Sequence, residues 1–211
     1  MVYKIKEIFY TLQGEGTHAG RPAVFCRFSL CNLWTGHEKD RARAVCKFCD
    51  TDFVGTDGEG GGRFDTPSDL ADAVEAAWPT GWSANRMVVC TGGEPLLQLD
   101  EVAVVALKGR GFYVAVETNG TQIPPPGIDW LCVSPKIGST LVVEQGQELK
   151  FIVPQGGVDP TDFEHLAFES FRVQPMDGPD ITANTEAAVK FCLDHPNWQL
   201  SLQTHKYLGI P

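Results

Sequence analysis

Three cysteines, Cys31, Cys46 and Cys49, follow the spacing C-x14-C-x2-C and carry the clearest chemical signal in the chain. Two thiolates separated by two residues can grip one metal centre, and a third from across a loop adds to the grip. A structural zinc ion takes four ligands, so His37 in the intervening stretch would have to supply the fourth. An iron–sulfur cluster also ordinarily takes four cysteines; held by three, it leaves one iron open to bind something else. Unliganded thiols at the edges of a loop are the third reading, and spacing alone leaves all three standing. Cys26, Cys90, Cys132 and Cys192 instead lie inside apolar stretches and read as core, cysteine being among the most often buried residue types.

The elements that must position these thiols are legible as short β-rich runs alternating with helical patterns. Strands are expected at Val2–Phe9, Ala23–Leu30, Met87–Thr91, Phe112–Glu117, Trp130–Val133, Leu149–Val153, Phe171–Gln174 and Trp198–Gln203. Several are nearly continuous apolar runs, as parallel strands covered on both faces require. The clearest helix opens with Thr66 as N-cap and Pro67 in the first turn, and Leu70, Ala73, Val74, Ala77 and Trp78 form its apolar stripe. A second helix runs from near Asp100 to Gly109 or Gly111, a third from Asn184 or Thr185 to before Pro196, and a weaker one follows Asp159-Pro160. Strand–helix alternation indicates right-handed βαβ units. A full eight-unit barrel takes about 250 residues; this chain has 211, so the expected fold is α/β, an incomplete (β/α)6-type partial TIM barrel in a single domain over residues 1–211. Gly55 to Gly62 is glycine-rich and acidic with no core-forming residue, and is expected to be a mobile loop.

Composition narrows the function. Lysine and arginine number 17 against 27 acidic residues, a net charge of −10 whose field repels phosphate backbones and argues against a nucleic-acid partner. A local cation can still receive a small anionic substrate. No apolar run approaches the roughly 18 residues of a membrane helix, and Met1 to Glu7 carry charges where a signal peptide has its apolar core. A soluble, cytoplasmic protein without membrane contact is expected, and its seven cysteines, an odd number, do not suggest a disulfide framework.

In α/β folds ligands bind beyond the carboxyl ends of the strands. At those ends stand Gly92-Gly93-Glu94-Pro95, Glu117-Thr118-Asn119-Gly120, Ser134-Pro135-Lys136, Gln174-Pro175-Met176-Asp177 and Gln203-Thr204-His205-Lys206, with Cys31 at the same end of its own strand. Each group alone reads as turn residues. Together they converge on the thiol loop.

The three-cysteine loop after the first barrel strand, with Gly92-Gly93-Glu94-Pro95 after the second, resembles the radical S-adenosylmethionine superfamily, although that superfamily's usual first gap of three residues is here fourteen. Phe9-Tyr10-Thr11-Leu12-Gln13-Gly14-Glu15-Gly16, Arg27 on the next strand, Ser134-Pro135-Lys136 and Gln203 to Pro211 resemble the 7-carboxy-7-deazaguanine synthase family within it, over essentially the whole chain. The resemblance implies that Cys31, Cys46 and Cys49 hold a [4Fe–4S] cluster. It implies S-adenosylmethionine at Phe48, Cys49, Asp50, Gly93, Glu94, Ser134, Pro135, Lys136 and the segment Gln174, Pro175, Met176 and Asp177, with Lys136 facing the methionine carboxylate and Glu94 its ammonium. The implied substrate is 6-carboxy-5,6,7,8-tetrahydropterin, touched by Leu12, Gln13, Gly14, Glu15, Arg27, Thr91, Glu117, His205 and Pro211, with Thr51 helping to hold Mg²⁺. The implied reaction is ring contraction to 7-carboxy-7-deazaguanine with loss of ammonia, S-adenosylmethionine being regenerated. An electron donor such as flavodoxin or ferredoxin and a homodimer come with it. The rivals are an activating enzyme of the same superfamily, against which the Leu12–Gly16 motif counts, and a zinc-stabilised interaction module.

Overall fold

Runs of β-branched and aromatic residues too short for helices recur along the chain, and in the computed structural model, which describes residues 2–211, they join into one nine-stranded sheet. Its strands are β1 (Tyr3–Leu12), β2 (Pro22–Phe28), β3 (Gly62–Phe64), β4 (Met87–Gly92), β5 (Tyr113–Thr118), β6 (Trp130–Val133), β7 (Gln145–Val153), β8 (Ala167–Pro175) and β9 (Trp198–Leu200). They lie in the order 3-1-2-4-5-6-7-8-9. β2 and every strand from β4 to β9 run parallel, whereas β1 is antiparallel to both β2 and β3.

The helices are α1 (Pro67–Ala77), α2 (Glu101–Gly109), α3 (Ile181–Asp194) and α4 (Thr204–Leu208). Thr66 caps α1 by accepting the Asp69 N–H, with Pro67 in the first turn, and Asp100 caps α2 through the Ala103 N–H. The stripe read from the sequence is buried: Leu70, Val74 and Trp78 pack with Val24, Cys26, Val88 and Val114 in the main core, on the outer face of the sheet. On the inner face a smaller apolar cluster of Ala23, Met87, Val89 and Ala115 fills the amino-terminal end. The carboxyl-terminal end of that face is polar.

The sheet curls around this inner face. Residues following β1 hydrogen-bond with residues of β7 and with Ser201, just past β9: Thr17 N–H donates to Glu148 at 2.8 Å and Gly16 N–H to Ser201 at 2.9 Å. β1 and β7 stand five steps apart in the strand order, and at about 4.8 Å per step a flat sheet would hold them roughly 24 Å apart. The partial-barrel expectation is met as an open, curved, mostly parallel sheet.

Several boundaries differ from expectation. The connections β5–β6 and β6–β7 carry no helix, and the weak helix after Asp159-Pro160 is a single 3-10 turn over Pro160–Phe163. β1 continues to Leu12, β7 and β8 begin four residues early, and α3 begins at Ile181 with no side-chain cap to announce it. β3 and α4 had no periodic signal. The glycine-rich stretch expected to be mobile packs against β1: Gly58 N–H donates to the Lys6 carbonyl at 2.9 Å, and the Glu59 carbonyl accepts from Ile8 at 2.7 Å. Among the described residues no helix is long and apolar enough to cross a membrane.

Candidate active site

A cavity of about 380 Å³ opens at the carboxyl ends of the parallel strands. Of the site residues named from the sequence, all line it except Glu94 and Pro135. His37 is exposed and lies off the lining, so a zinc site with His37 as fourth ligand is not formed. Nor do any three His, Cys, Asp or Glu side chains among the described residues converge closely enough to hold a single metal ion.

The thiols reach the cavity because β2 ends in a sharp turn. Leu30, immediately before Cys31, has φ +75°, a conformation that costs a residue with a side chain on the order of 1–3 kcal/mol. The turn is pinned by the next strand: Gly93 N–H donates to the Phe28 carbonyl at 3.1 Å and Glu94 N–H to the Leu30 carbonyl at 2.9 Å. A Cβ on Gly93 would stand 2.0 Å from the Leu30 carbonyl oxygen and 3.0 Å from the Cys31 Cβ, so only glycine permits this approach. All three cysteines are free. The Cys31 sulfur accepts from the Leu33 N–H at 3.4 Å. Mutual contact raises the Cys46 thiol and holds Cys49 down at about 6, while burial pushes Cys31 up. Three soft sulfurs therefore face one cavity.

Glu94 stands apart from most of the strand-end residues in lying off the lining. Its side chain is fully buried, and its carboxylate accepts from Leu96 N–H at 3.0 Å, Thr118 Oγ1 at 2.8 Å and Asn119 N–H at 2.8 Å. It ties the end of β4 to the end of β5, Oε1 accepting two of these bonds and Oε2 one. Pro135 likewise lies off the lining, its carbonyl accepting from Gln155 at 3.3 Å.

The floor of the cavity is a buried charge network. Lys150, on the inner face of β7, pairs with Glu15 and lies 3.8 Å from Glu117. Gln13 Nε2 donates to Glu117 at 2.9 Å, Thr91 Oγ1 to the other Glu117 oxygen at 3.2 Å, and Gln203 Nε2 to Glu15 at 3.0 Å. Burial pushes the Glu15 carboxyl up, but Lys150 and the hydrogen bonds outweigh it and hold the group at about 2. Burial opposes the Lys150 charge too, yet Glu117 and Glu15 keep it well above the ordinary lysine range. Both partners are therefore ionised in neutral solution.

At the mouth, Lys206 of α4 bridges Asp50 and Asp177, each at 2.6 Å. His205 packs so closely on Gly14 that a Cβ there would be 2.2 Å from His205 Nδ1, and Thr204 N–H donates to the Gly14 carbonyl at 2.9 Å. The Pro211 carbonyl accepts from Thr11 Oγ1 at 3.2 Å. On the opposite wall the half-buried Lys136 ammonium donates to the Ser134 carbonyl and hydroxyl, each at 2.7 Å, and joins none of the ion pairs among the described residues. Burial lowers its proton affinity.

Sequence reasoning passed over Lys150 and Glu7 and gave no individual role to Gln203 and Lys206, and all four line the cavity. A lysine inside the apolar run Leu149–Val153 was a usable signal, because lysine is almost never fully buried unless paired. The others are defined only by contacts with distant segments.

No protein-family model matches the chain. It is 64% identical over 211 residues to the 7-carboxy-7-deazaguanine synthase of Caulobacter vibrioides and 64% identical to that of Bordetella pertussis, each aligned over the whole of both chains. The crystal structure of QueE from Escherichia coli superposes with a TM-score of 0.70 at 28% identity, over 97% of this chain and 95% of that one. With full-length identity at this level and the thiol triad, charged floor and strand-end groups gathered in one cavity, the chain belongs to the 7-carboxy-7-deazaguanine synthase family.

Proposed function

We propose that this cavity, within a single domain, converts 6-carboxy-5,6,7,8-tetrahydropterin into 7-carboxy-7-deazaguanine with release of ammonia, a step of queuosine biosynthesis. The reaction is balanced without a net oxidant or reductant, since substrate equals product plus ammonia. When bound, a [4Fe–4S] cluster and S-adenosylmethionine supply reversible one-electron hydrogen abstraction at C6 of the substrate. The observation that carries the reading is the joint lining of one cavity by the three thiols, by Lys136 and by the Glu15–Lys150–Glu117 floor.

Cys31, Cys46 and Cys49 hold the cluster. Lys136, a half-buried cation without a carboxylate partner among the described residues, takes the methionine carboxylate as a point charge. Phe48, Asp50, Ser134 and the strand-end segment Gln174–Asp177 line the rest of the cofactor space, and Gly93 and Glu94 receive the methionine amine, Glu94 Oε2 accepting from one protein N–H only. Ionised Glu15 accepts hydrogen bonds only, which suits the ring N–H and amino groups of a pterin edge; Glu117, Gln13 and the Leu12–Gly14 backbone complete that edge. Arg27 grips the ring carboxylate, with Thr91, His205 and Pro211 closing around the substrate. Thr51, on the cavity lining, would give one oxygen to a Mg²⁺ ion, a hard cation that suits hydroxyl oxygen.

A flavodoxin- or ferredoxin-type donor, a homodimeric assembly and a cytoplasmic setting complete the proposal. The test is anaerobic incubation of reconstituted protein with reductant, S-adenosylmethionine and the carboxylated pterin. Equal amounts of ammonia and 7-carboxy-7-deazaguanine, with S-adenosylmethionine undiminished over many turnovers, are expected. Absence of ammonia with the cluster intact would overturn the assignment.

A further inference from the structure

Arg27 enters the cavity from β2, but its orientation is set by β1. Along these antiparallel strands Ile5 pairs with Phe28, while Arg27 pairs with Glu7 and not with Lys6. β1 therefore has one more residue than β2 over this stretch, a β-bulge at Lys6. Without the bulge, strict pairing would set Lys6 opposite Arg27, two like charges, and Glu7 opposite Cys26 on the apolar outer face. With it, Glu7 and Phe9 stand opposite Arg27 and Phe25 on the cavity side.

The bulge is braced from outside by the glycine-rich stretch. A Cβ would stand 2.1 Å from the Lys6 carbonyl oxygen if added at Gly61 and 2.7 Å if added at Gly58, so the stretch lies against the bulge at backbone contact distance. The Lys6 side chain is turned outward to Asp52 and Asp57, at 3.0 and 2.8 Å. On the cavity side Arg27 Nε donates to Glu7 Oε1 at 2.6 Å. The guanidinium stands 5.8 Å over the Phe9 ring, which stacks on Phe25 at 5.5 Å. Neither Nη atom hydrogen-bonds to any of the described residues.

We propose that Glu7 is a positioning residue: it ties down the Nε edge of Arg27 so that the two Nη atoms are presented end-on as a fork for the planar carboxylate of the ring substrate, and the bulge at Lys6 is the device that brings Glu7 to that face. The inference rests on the function proposed above. Bidentate arginine recognition is demanding in geometry, so an untethered Arg27 loses affinity for the carboxylate without altering the radical chemistry.

Steady-state kinetics of Glu7→Ala, Glu7→Gln, Arg27→Met and the Glu7→Ala/Arg27→Met double variant test this with the carboxylated pterin. Glu7→Ala is expected to raise KM about tenfold or more with kcat changed by less than about threefold, tenfold corresponding to about 1.4 kcal/mol. Glu7→Gln, whose carbonyl still accepts from Nε, is expected to retain most of the affinity. In the Arg27→Met background Glu7→Ala is expected to add nothing, and S-adenosylmethionine affinity is expected to stay constant throughout. If Glu7→Ala does not fold, Glu7→Asp, one methylene shorter, is expected to give an intermediate KM. An unchanged KM in Glu7→Ala or Glu7→Asp, or an equal increase with and without Arg27, would overturn the positioning role alone. An inactive wild type with its cluster intact would overturn the function and this role together.

Discussion

Glu15 and Lys150, 135 positions apart, meet as a buried ion pair on the cavity floor, joining the segment after β1 to the middle of β7. The pair closes the curve of the open sheet as well as charging the site.

Removing the cation should therefore be costly. Lys150→Met leaves Glu15 and Glu117 buried without their counter-charge, and a loss on the order of 3–5 kcal/mol is expected, read by equilibrium denaturation in neutral buffer. Glu15 titrates near 4.5 when unfolded and at about 2 in the folded protein. Its contribution is thus fully present above pH 4.5 and disappears as pH falls towards 2. The stability gap between wild type and Lys150→Met is expected to narrow over that window; a gap independent of pH would contradict the ion pair.

Gly14→Ala is expected to leave the fold intact and damage turnover. The added Cβ would stand 2.2 Å from His205 Nδ1 and drive that ring out of position. A displacement of about 1 Å at a substrate-facing group can cost roughly 10²-fold in rate. Circular dichroism and kcat/KM measured together separate displacement from unfolding.

Lys136→Met removes the cation assigned to the methionine carboxylate. S-Adenosylmethionine affinity is expected to fall by the equivalent of about 2–5 kcal/mol, with pterin affinity unaffected. Equilibrium binding to the reconstituted protein measures both.

The parts of the fold read correctly from the sequence were those written in local chemistry. β6 was placed at its observed ends because Trp130–Val133 is a continuous apolar run between turns, and α1 because Thr66-Pro67 is a cap followed by a 3.6-residue stripe. The cavity lining was legible because parallel strands deliver their following residues to one end. What escaped depends on long-range contact. The bulge at Lys6 has no composition signal, since it arises from how β2 and the glycine-rich stretch press on β1 from two sides. That stretch looked mobile because its glycines lack apolar side chains, when they are there to let backbones touch. Glu94 was assigned by motif, and only the positions of Leu96, Thr118 and Asn119 reveal that it also ties two strand ends together.

Gly93→Ala tests the link between that motif and the thiols. Its Cβ would collide with the Leu30 carbonyl at 2.0 Å and push on Cys31. Reduced iron retention, with the strands preserved, is expected from metal analysis after anaerobic reconstitution.

Iron and acid-labile sulfide in protein isolated without oxygen, measured alongside Cys31→Ala, Cys46→Ala and Cys49→Ala, test most directly that three thiols hold a cluster open to this cavity. About four irons and four sulfides per chain are expected in the wild type, with substantial loss in each variant and an altered reduced-cluster EPR signal when S-adenosylmethionine is added to the wild type. Wild-type protein without sulfide, or a full cluster surviving the loss of any one of these cysteines, would contradict the account.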